Sequence, residues 1–252
     1  MRAMILAAGL GTRLRPLTYE MPKPMVPVAG KPVMEHIVRL LREHGFTEVI
    51  ANLSYLPDQI REHFGDGSAF GVSLEYREEP ALLGTAGGVR NCAGFLGEEF
   101  LVISGDALTD IDLGAMREFH ASHDGLATLA LKAVDDPSQL GVVILGADGR
   151  IQGFQEKPDP AEALSDLANC GIYMFRSDIF DFFPGPGESK AAGAGDDPGF
   201  ADWALDVFPA LLANDVPFYG HRFDGYWNDI GSLDELERGN EDARAGLVAL
   251  LG

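Results

Sequence analysis

The chain of 252 residues is 46% hydrophobic, enough to bury a full core within one large domain. Its formal charge of −20 weighs against non-specific binding to nucleic-acid backbones or acidic membranes, because like charges would be brought together. The apolar runs are strand-length and broken by Gly or charge, and the N-terminus lacks a cleavable leader pattern, so no membrane span and a cytoplasmic protein are expected.

The run at residues 3–8, closed by Gly9, reads as a strand buried on both faces, and a Gly-rich loop follows. Residues 32–44 put Val33, Met34, Ile37, Val38, Leu40 and Leu41 at helical spacing, with Pro32 in the first turn and Gly45 past the end. The alternation continues as strand 48–53, helix 57–64, strand 72–76, a helix from 84 to about 95 and strand 100–104. It predicts a doubly wound α/β fold with a mainly parallel sheet, whose ligands lie beyond the carboxyl ends of the strands. After a helix at about 113–123, segments 126–132, 141–145 and 151–156, with an Asp148-Gly149 turn, predict an inserted β-rich region. Small and polar residues dominate 184–199, which is expected to be an exposed, mobile loop. Helices at about 203–213 and 232–245 flank a last strand region at 216–226, and there is no internal repeat. One domain, 1–252, is expected, dividing near residue 125. Cys92 and Cys170 suit neither a disulfide framework nor a zinc site and read as free thiols, and the six His show no ligand spacing.

Gly9 and Gly11 follow the first strand, where backbone N–H groups can approach a polyphosphate; Arg13 adds charge-assisted hydrogen bonds. Pro22-Lys23-Pro24 is expected to hold Lys23 in extended backbone. Two other glycine motifs fail: Leu14 stands where a dinucleotide fingerprint needs its third Gly, and no Gly-Lys-Ser/Thr of a Walker loop occurs. Asp106 ends the apolar strand at 100–104, and Asp229 lies in Trp227-Asn228-Asp229-Ile230-Gly231. Two converging carboxylates can hold Mg²⁺ and leave positions for phosphate and water. The plainer reading makes Asp106 a turn residue and Asp229 a helix cap; Asp110 and Asp112 are read as helix-start residues.

The string Leu6-Ala7-Ala8-Gly9-Leu10-Gly11-Thr12-Arg13-Leu14-Arg15-Pro16-Leu17-Thr18, with Pro22-Lys23-Pro24, resembles the nucleotidyltransferases that make nucleotide sugars. Ala8 stands where many members have Gly. The resemblance extends to Gly141-Val142-Val143, Glu156-Lys157-Pro158, Asn169-x-Gly171 and Trp-x-Asp-Ile-Gly, in order, and so covers the whole chain. It implies a Rossmann-like fold with a nucleotide-binding half at about 1–125 and a sugar-binding half at about 126–252. It also implies transfer of a nucleotidyl group from an NTP to a sugar 1-phosphate, with Mg²⁺ on Asp106 and Asp229 and with Arg13 and Lys23 as catalytic cations. Leu6, Ala8, Gly9, Gly11, Thr12, Arg13, Glu79, Gly84 and Thr85 would bind the nucleotide; Gly141, Glu156, Lys157 and Asn169 would bind the sugar phosphate.

The strings look closest to mannose-1-phosphate guanylyltransferases, and an inward Glu79 carboxylate could accept from guanine N1–H and its amine, favouring GTP. Relatives using UTP or dTTP with glucose 1-phosphate or N-acetylmuramic acid 1-phosphate share most of the strings. A non-catalytic nucleotide-sugar sensor is the alternative class, but Arg13, Lys23, Asp106 and Asp229 are all retained. Many relatives carry a C-terminal β-helix domain that is not expected here, so a homo-oligomer is compatible with the resemblance while its geometry does not carry over.

Overall fold

The structure is a computed structural model that describes residues 1–191 and 199–249. Strands β1 (Arg2–Leu6), β4 (Glu48–Leu53), β5 (Ser73–Glu78) and β6 (Glu99–Ser104) alternate with helices α1 (Val33–Glu43), α2 (Pro57–Phe64) and α3 (Gly84–Asn91). The short strands β2 (Pro27–Val28) and β3 (Lys31–Pro32) form a hairpin before α1. These four long strands are parallel, in the order β6-β1-β4-β5, so the winding reverses between β1 and β6.

β7 (Ala107–Thr109) and α4 (Leu113–Ala121) follow, then β8 (Ala127–Ala133), β9 (Gly141–Leu145), β10 (Ile151–Glu156) and β11 (Leu167–Arg176). The predicted β-rich region is present and joins the same sheet: β11 runs antiparallel to β6, and β9, β10 and β8 extend from it. A π-helical turn (Trp203–Val207), α5 (Phe208–Ala213), β12 (Tyr219–Arg222), β13 (Trp227–Asp229) and α6 (Leu233–Ala245) complete the chain. β12 makes the ninth strand of the sheet by pairing with β8. Within the predicted mobile loop at 184–199, residues 192–198 lie outside the described residues.

The apolar runs of the central strands have a direct cause. Side chains alternate across a strand, and both faces of this sheet are covered. Ala3 and Ile5 of β1 pack with α1, α2 and α4, whereas Met4 packs on the opposite face with α3 and α5. β6 and β11 divide their side chains in the same way. Each fully buried Leu, Ile or Phe contributes about 1.5–3 kcal/mol, so the two-sided core fixes where the strand ends fall.

Among the described residues, no helix is long and apolar enough to cross a membrane. Cys92 and Cys170 are free and buried; burial raises the Cys92 thiol pKa to about 12 and pushes Cys170 up further.

Candidate active site

The site begins where β1 and β6 end, at the reversal of winding. The Gly105 N–H donates to the Leu6 carbonyl at 2.9 Å, and a Cβ on Gly105 would lie 2.6 Å from that oxygen. Only glycine fits, and the close approach sets Asp106 beside the loop leaving β1. Gly11 has φ +62°, and a Cβ there would meet Thr18 Cγ2 at 2.9 Å and Lys23 Cβ at 3.0 Å. Its missing side chain lets the Lys23 stem lie against the loop.

Lys23 Nζ pairs with Asp106 and stands 3.9 Å from Asp229 Oδ1. A two-strand ladder brings the distant carboxylates together: β13 pairs antiparallel with β7, Asp229 lies opposite Ala107, and the Ile230 N–H donates to the Asp106 carbonyl at 3.0 Å. The helix-cap reading of Asp229 does not hold, because the Ser232 hydroxyl accepts from Glu235 N–H and caps α6. Burial, then the Asp106 charge, raises the Asp229 pKa, with Lys23 and Arg13 opposing. The Arg13 guanidinium crosses Gly231, where a Cβ would be 2.9 Å from Nη2.

Two cavities, each of about 330 Å³, meet at these groups. The first is lined by the predicted Leu6, Ala8, Gly9, Glu79, Gly84 and Thr85. Around the second stand Arg13, Asp229, Gly141, Glu156, Lys157 and Asn169. Lys23, Ser104 and Asp106 line both. Of the predicted residues, Gly11 and Thr12 line neither; Gly11 supports Lys23 from behind, and Thr12 is exposed at the start of a 3-10 turn.

Asn52 and Glu79 form the floor of the first cavity, each 2% exposed. Asn52 Nδ2 donates to Glu79 Oε1 at 2.8 Å, and Glu79 Oε2 accepts from the Leu83 N–H at 3.2 Å. Glu79 therefore points inward as expected, but both its oxygens already serve the protein, and burial raises its pKa. The predicted turn is held from outside as well: the Thr85 hydroxyl donates to Asp202 Oδ2 at 2.9 Å and accepts from Trp203 N–H.

In the second cavity, Gly141 pairs with Glu156 across β9 and β10, and a Cβ on Gly141 would lie 3.0 Å from the Glu156 carboxylate. Lys157, at φ +45°, stands 3.7 Å from Glu156 through Nζ, both side chains more than half exposed. A left-handed non-glycine residue is strained, and here it follows the last residue of β10, with its N–H donating to the Leu140 carbonyl at 3.0 Å. Asn169 Oδ1 accepts from Gly171 N–H within an irregularity of β11.

Two expectations are corrected. Extended backbone stops at Pro22; Lys23 opens the 3-10 turn Lys23–Met25, with Met25 N–H donating to the Pro22 carbonyl at 2.8 Å. Asp112 caps α4 through Ala115 N–H, but Asp110 does not start that helix: its Oδ1 accepts from Tyr226 N–H at 2.6 Å and holds the approach to β13. The sequence reading missed Asn52, Ser104, Gln139, Trp227 and Phe200 as lining residues. Asn52 had a signal: it is the one polar residue in the apolar run 49–53.

Together these features define a doubly wound α/β protein with a mixed-charge cleft at its switch point. The chain belongs to the nucleotidyl transferase family, an enzyme family, which it matches over residues 2–246. It is 39% identical over 249 residues to a UTP–glucose-1-phosphate uridylyltransferase of Synechocystis sp., covering 93% of this chain and 61% of that one. It is 37% identical over 248 residues to a mannose-1-phosphate guanylyltransferase of Mycobacterium tuberculosis, covering 98% and 65%. The chain thus spans less than two thirds of the length of these relatives. A solved structure from Bacillus anthracis, assigned as a glucose-1-phosphate thymidylyltransferase, superposes with TM-score 0.83 at 29% identity, covering 97% of this chain and 95% of that one.

Proposed function

We propose that the chain joins an NTP to a sugar 1-phosphate, releasing pyrophosphate, with the NTP in the first cavity and the sugar phosphate in the second. The observation that carries this reading is the sharing of Lys23 and Asp106 by both cavities, so that two anionic ligands would meet at one charge-handling point. An oxygen of the sugar phosphate attacks the α-phosphorus in line; that P–O bond forms as the bond to pyrophosphate breaks. The attacking group is already an anion, so the protein's work is to hold two repelling phosphates together. Lys157 holds the sugar phosphate, Lys23, shared by both cavities, and Arg13, on the wall of the second, neutralise charge during transfer, and Glu156 and Asn169 take sugar hydroxyls.

Asp106 and Asp229 would hold Mg²⁺, which supplies Lewis-acid stabilisation of the transferring phosphate. Their pairing with one ammonium supports the fit, since the same acidic oxygens suit a hard cation. No cluster of three or more candidate ligand side chains occurs among the described residues. Two carboxylates suit Mg²⁺, which takes its remaining positions from phosphate and water.

The proposed pair is GTP and mannose 1-phosphate. Glu79, acceptor-only when ionised, matches the guanine edge, and the Mycobacterium relative is a guanylyltransferase. UTP with glucose 1-phosphate is the second reading, favoured by the Synechocystis relative. The cytoplasm is the proposed location. A pyrophosphate-release assay crossing GTP, UTP, dTTP, CTP and ATP with mannose, glucose, N-acetylglucosamine and N-acetylmuramic acid 1-phosphates tests both the reaction and the pair. GTP with mannose 1-phosphate should be turned over fastest; silence across the grid overturns the reaction and leaves the sensor.

A further inference from the structure

We propose that the Phe200 ring is the stacking wall for the nucleobase, so that the second half of the chain helps select the ligand held by the first. The inference rests on the nucleotidyl-transfer reading above. Within the first cavity, Lys23 and Asp106 mark the phosphate end, while Glu79, Leu82 and Gly84 belong to the turn that enters α3. Phe200 lines the cavity beside that turn, and among the described residues it is the one aromatic ring in the lining. The ring lies on Gly84, where a Cβ would be 3.0 Å from both Cε1 and Cζ. It is only partly buried, so part of its surface faces the cavity.

The backbone that carries the ring is fixed. Ala201 N–H donates to the Leu83 carbonyl at 3.0 Å, and the Ala201 carbonyl accepts from Ala86 and Gly87 at 2.9 and 3.0 Å. The Arg90 guanidinium holds the Gly199 carbonyl at 2.9 Å, and buried Trp203 stacks on Phe175 at 4.4 Å between centroids. Phe200 is thus presented from a preorganised strap and loses little freedom on contact. Glu79 can read only the edge of a base, and its two oxygens are already engaged. An aromatic face supplies what that edge contact lacks, and it tolerates any base while favouring the larger purine surface.

The test is equilibrium binding of GTP, UTP and inorganic tripolyphosphate, with Mg²⁺, to the wild type and to Phe200→Ala, Phe200→Leu and Phe200→Tyr. Loss of the ring should weaken GTP by about 10-fold or more and UTP by less. Tripolyphosphate, which has no base, should bind unchanged, and Phe200→Tyr should restore nucleotide affinity where Phe200→Leu does not. Unchanged nucleotide affinity in Phe200→Ala overturns the proposal, as does equal weakening of tripolyphosphate, which would make the ring a packing residue. If Phe200→Ala fails to fold, the comparison of Leu with Tyr decides by the same criteria. A wild type that binds GTP but releases no pyrophosphate with any sugar 1-phosphate overturns the reaction and leaves the ring's role standing. A wild type that binds neither nucleotide overturns both.

Discussion

Asn52 ties Glu79 to the loop that leaves β1: its Nδ2 donates to Glu79 Oε1 at 2.8 Å while its Oδ1 accepts from the Ala7 N–H at 2.9 Å. One buried amide thus sets the register between the proposed phosphate loop and the proposed base turn. A Cβ on Gly88 would lie 2.7 Å from both Asn52 Nδ2 and Glu79 Oε1, so α3 can press onto this pair only through glycine. Asn52→Leu keeps the volume and deletes both hydrogen bonds, orphaning a buried donor and a buried acceptor. Urea unfolding should show a loss of about 2 kcal/mol or more. The KM for the NTP should rise while that for the sugar 1-phosphate stays put, and equal changes in both would deny the pair its place under the nucleotide.

Glu79→Gln tests base recognition. The amide has one acceptor oxygen, so it cannot serve both Asn52 Nδ2 and Leu83 N–H as the carboxylate does. It also presents a donor where guanine offers donors. The expected outcome is a modest drop in melting temperature and a GTP kcat/KM reduced about 10-fold or more, with a smaller effect for UTP, whose edge mixes donor and acceptor. Equal losses for the two nucleotides would place base selection elsewhere.

Lys23→Met removes the cation that now sits between two carboxylates. Binding of Mn²⁺ alone at pH 8, followed by electron paramagnetic resonance without nucleotide, should tighten because a competing positive charge is gone. Turnover should fall by orders of magnitude in the same variant. Weaker Mn²⁺ binding would mean that Asp106 and Asp229 do not form the cation site.

His120 makes stability depend on pH. It is 1% exposed, Nδ1 lies 2.8 Å from Thr128 Oγ1, and burial, reinforced by the charges of Arg176 and His123, lowers its pKa to about 4. Its unfolded value is about 6.5, so the neutral folded form keeps its full stability above that pH and loses it as pH falls towards 4. Between pH 7.5 and 5 the loss is about 2 kcal/mol. His36, His123 and His221 shift in the same direction. His120→Gln should flatten the urea-derived stability profile by about that amount over this window, and an unchanged slope would assign the acid sensitivity to the other histidines.

The parallel half of the fold was legible because strands buried on both faces must be apolar throughout and helices covering them must be amphipathic; 48–53 and 57–64 match β4 and α2 to the residue. The meeting of Asp106 with Asp229 was legible only through resemblance, since β7 and β13 are three residues each and carry no periodicity of their own. Lys23 shows the limit of local rules: Pro24 disfavours a helical Lys23, yet the Met25 N–H bond to Pro22 and the packing of the lysine stem on Gly11 fix a 3-10 turn. Phe200 gave no signal, because its place depends on Leu83 and Ala86 pairing with Ala201 across more than a hundred positions of chain.

In the proposed reaction both ligands meet across Asp106. Pyrophosphate release from Asp106→Ala, measured where the wild type turns over its best NTP and sugar 1-phosphate, reads that role without an intermediary. With the variant folded by circular dichroism, turnover should drop by about two to three orders of magnitude, the scale of losing a principal electrostatic stabiliser. Near-normal release by the folded variant would remove Asp106 from the reaction.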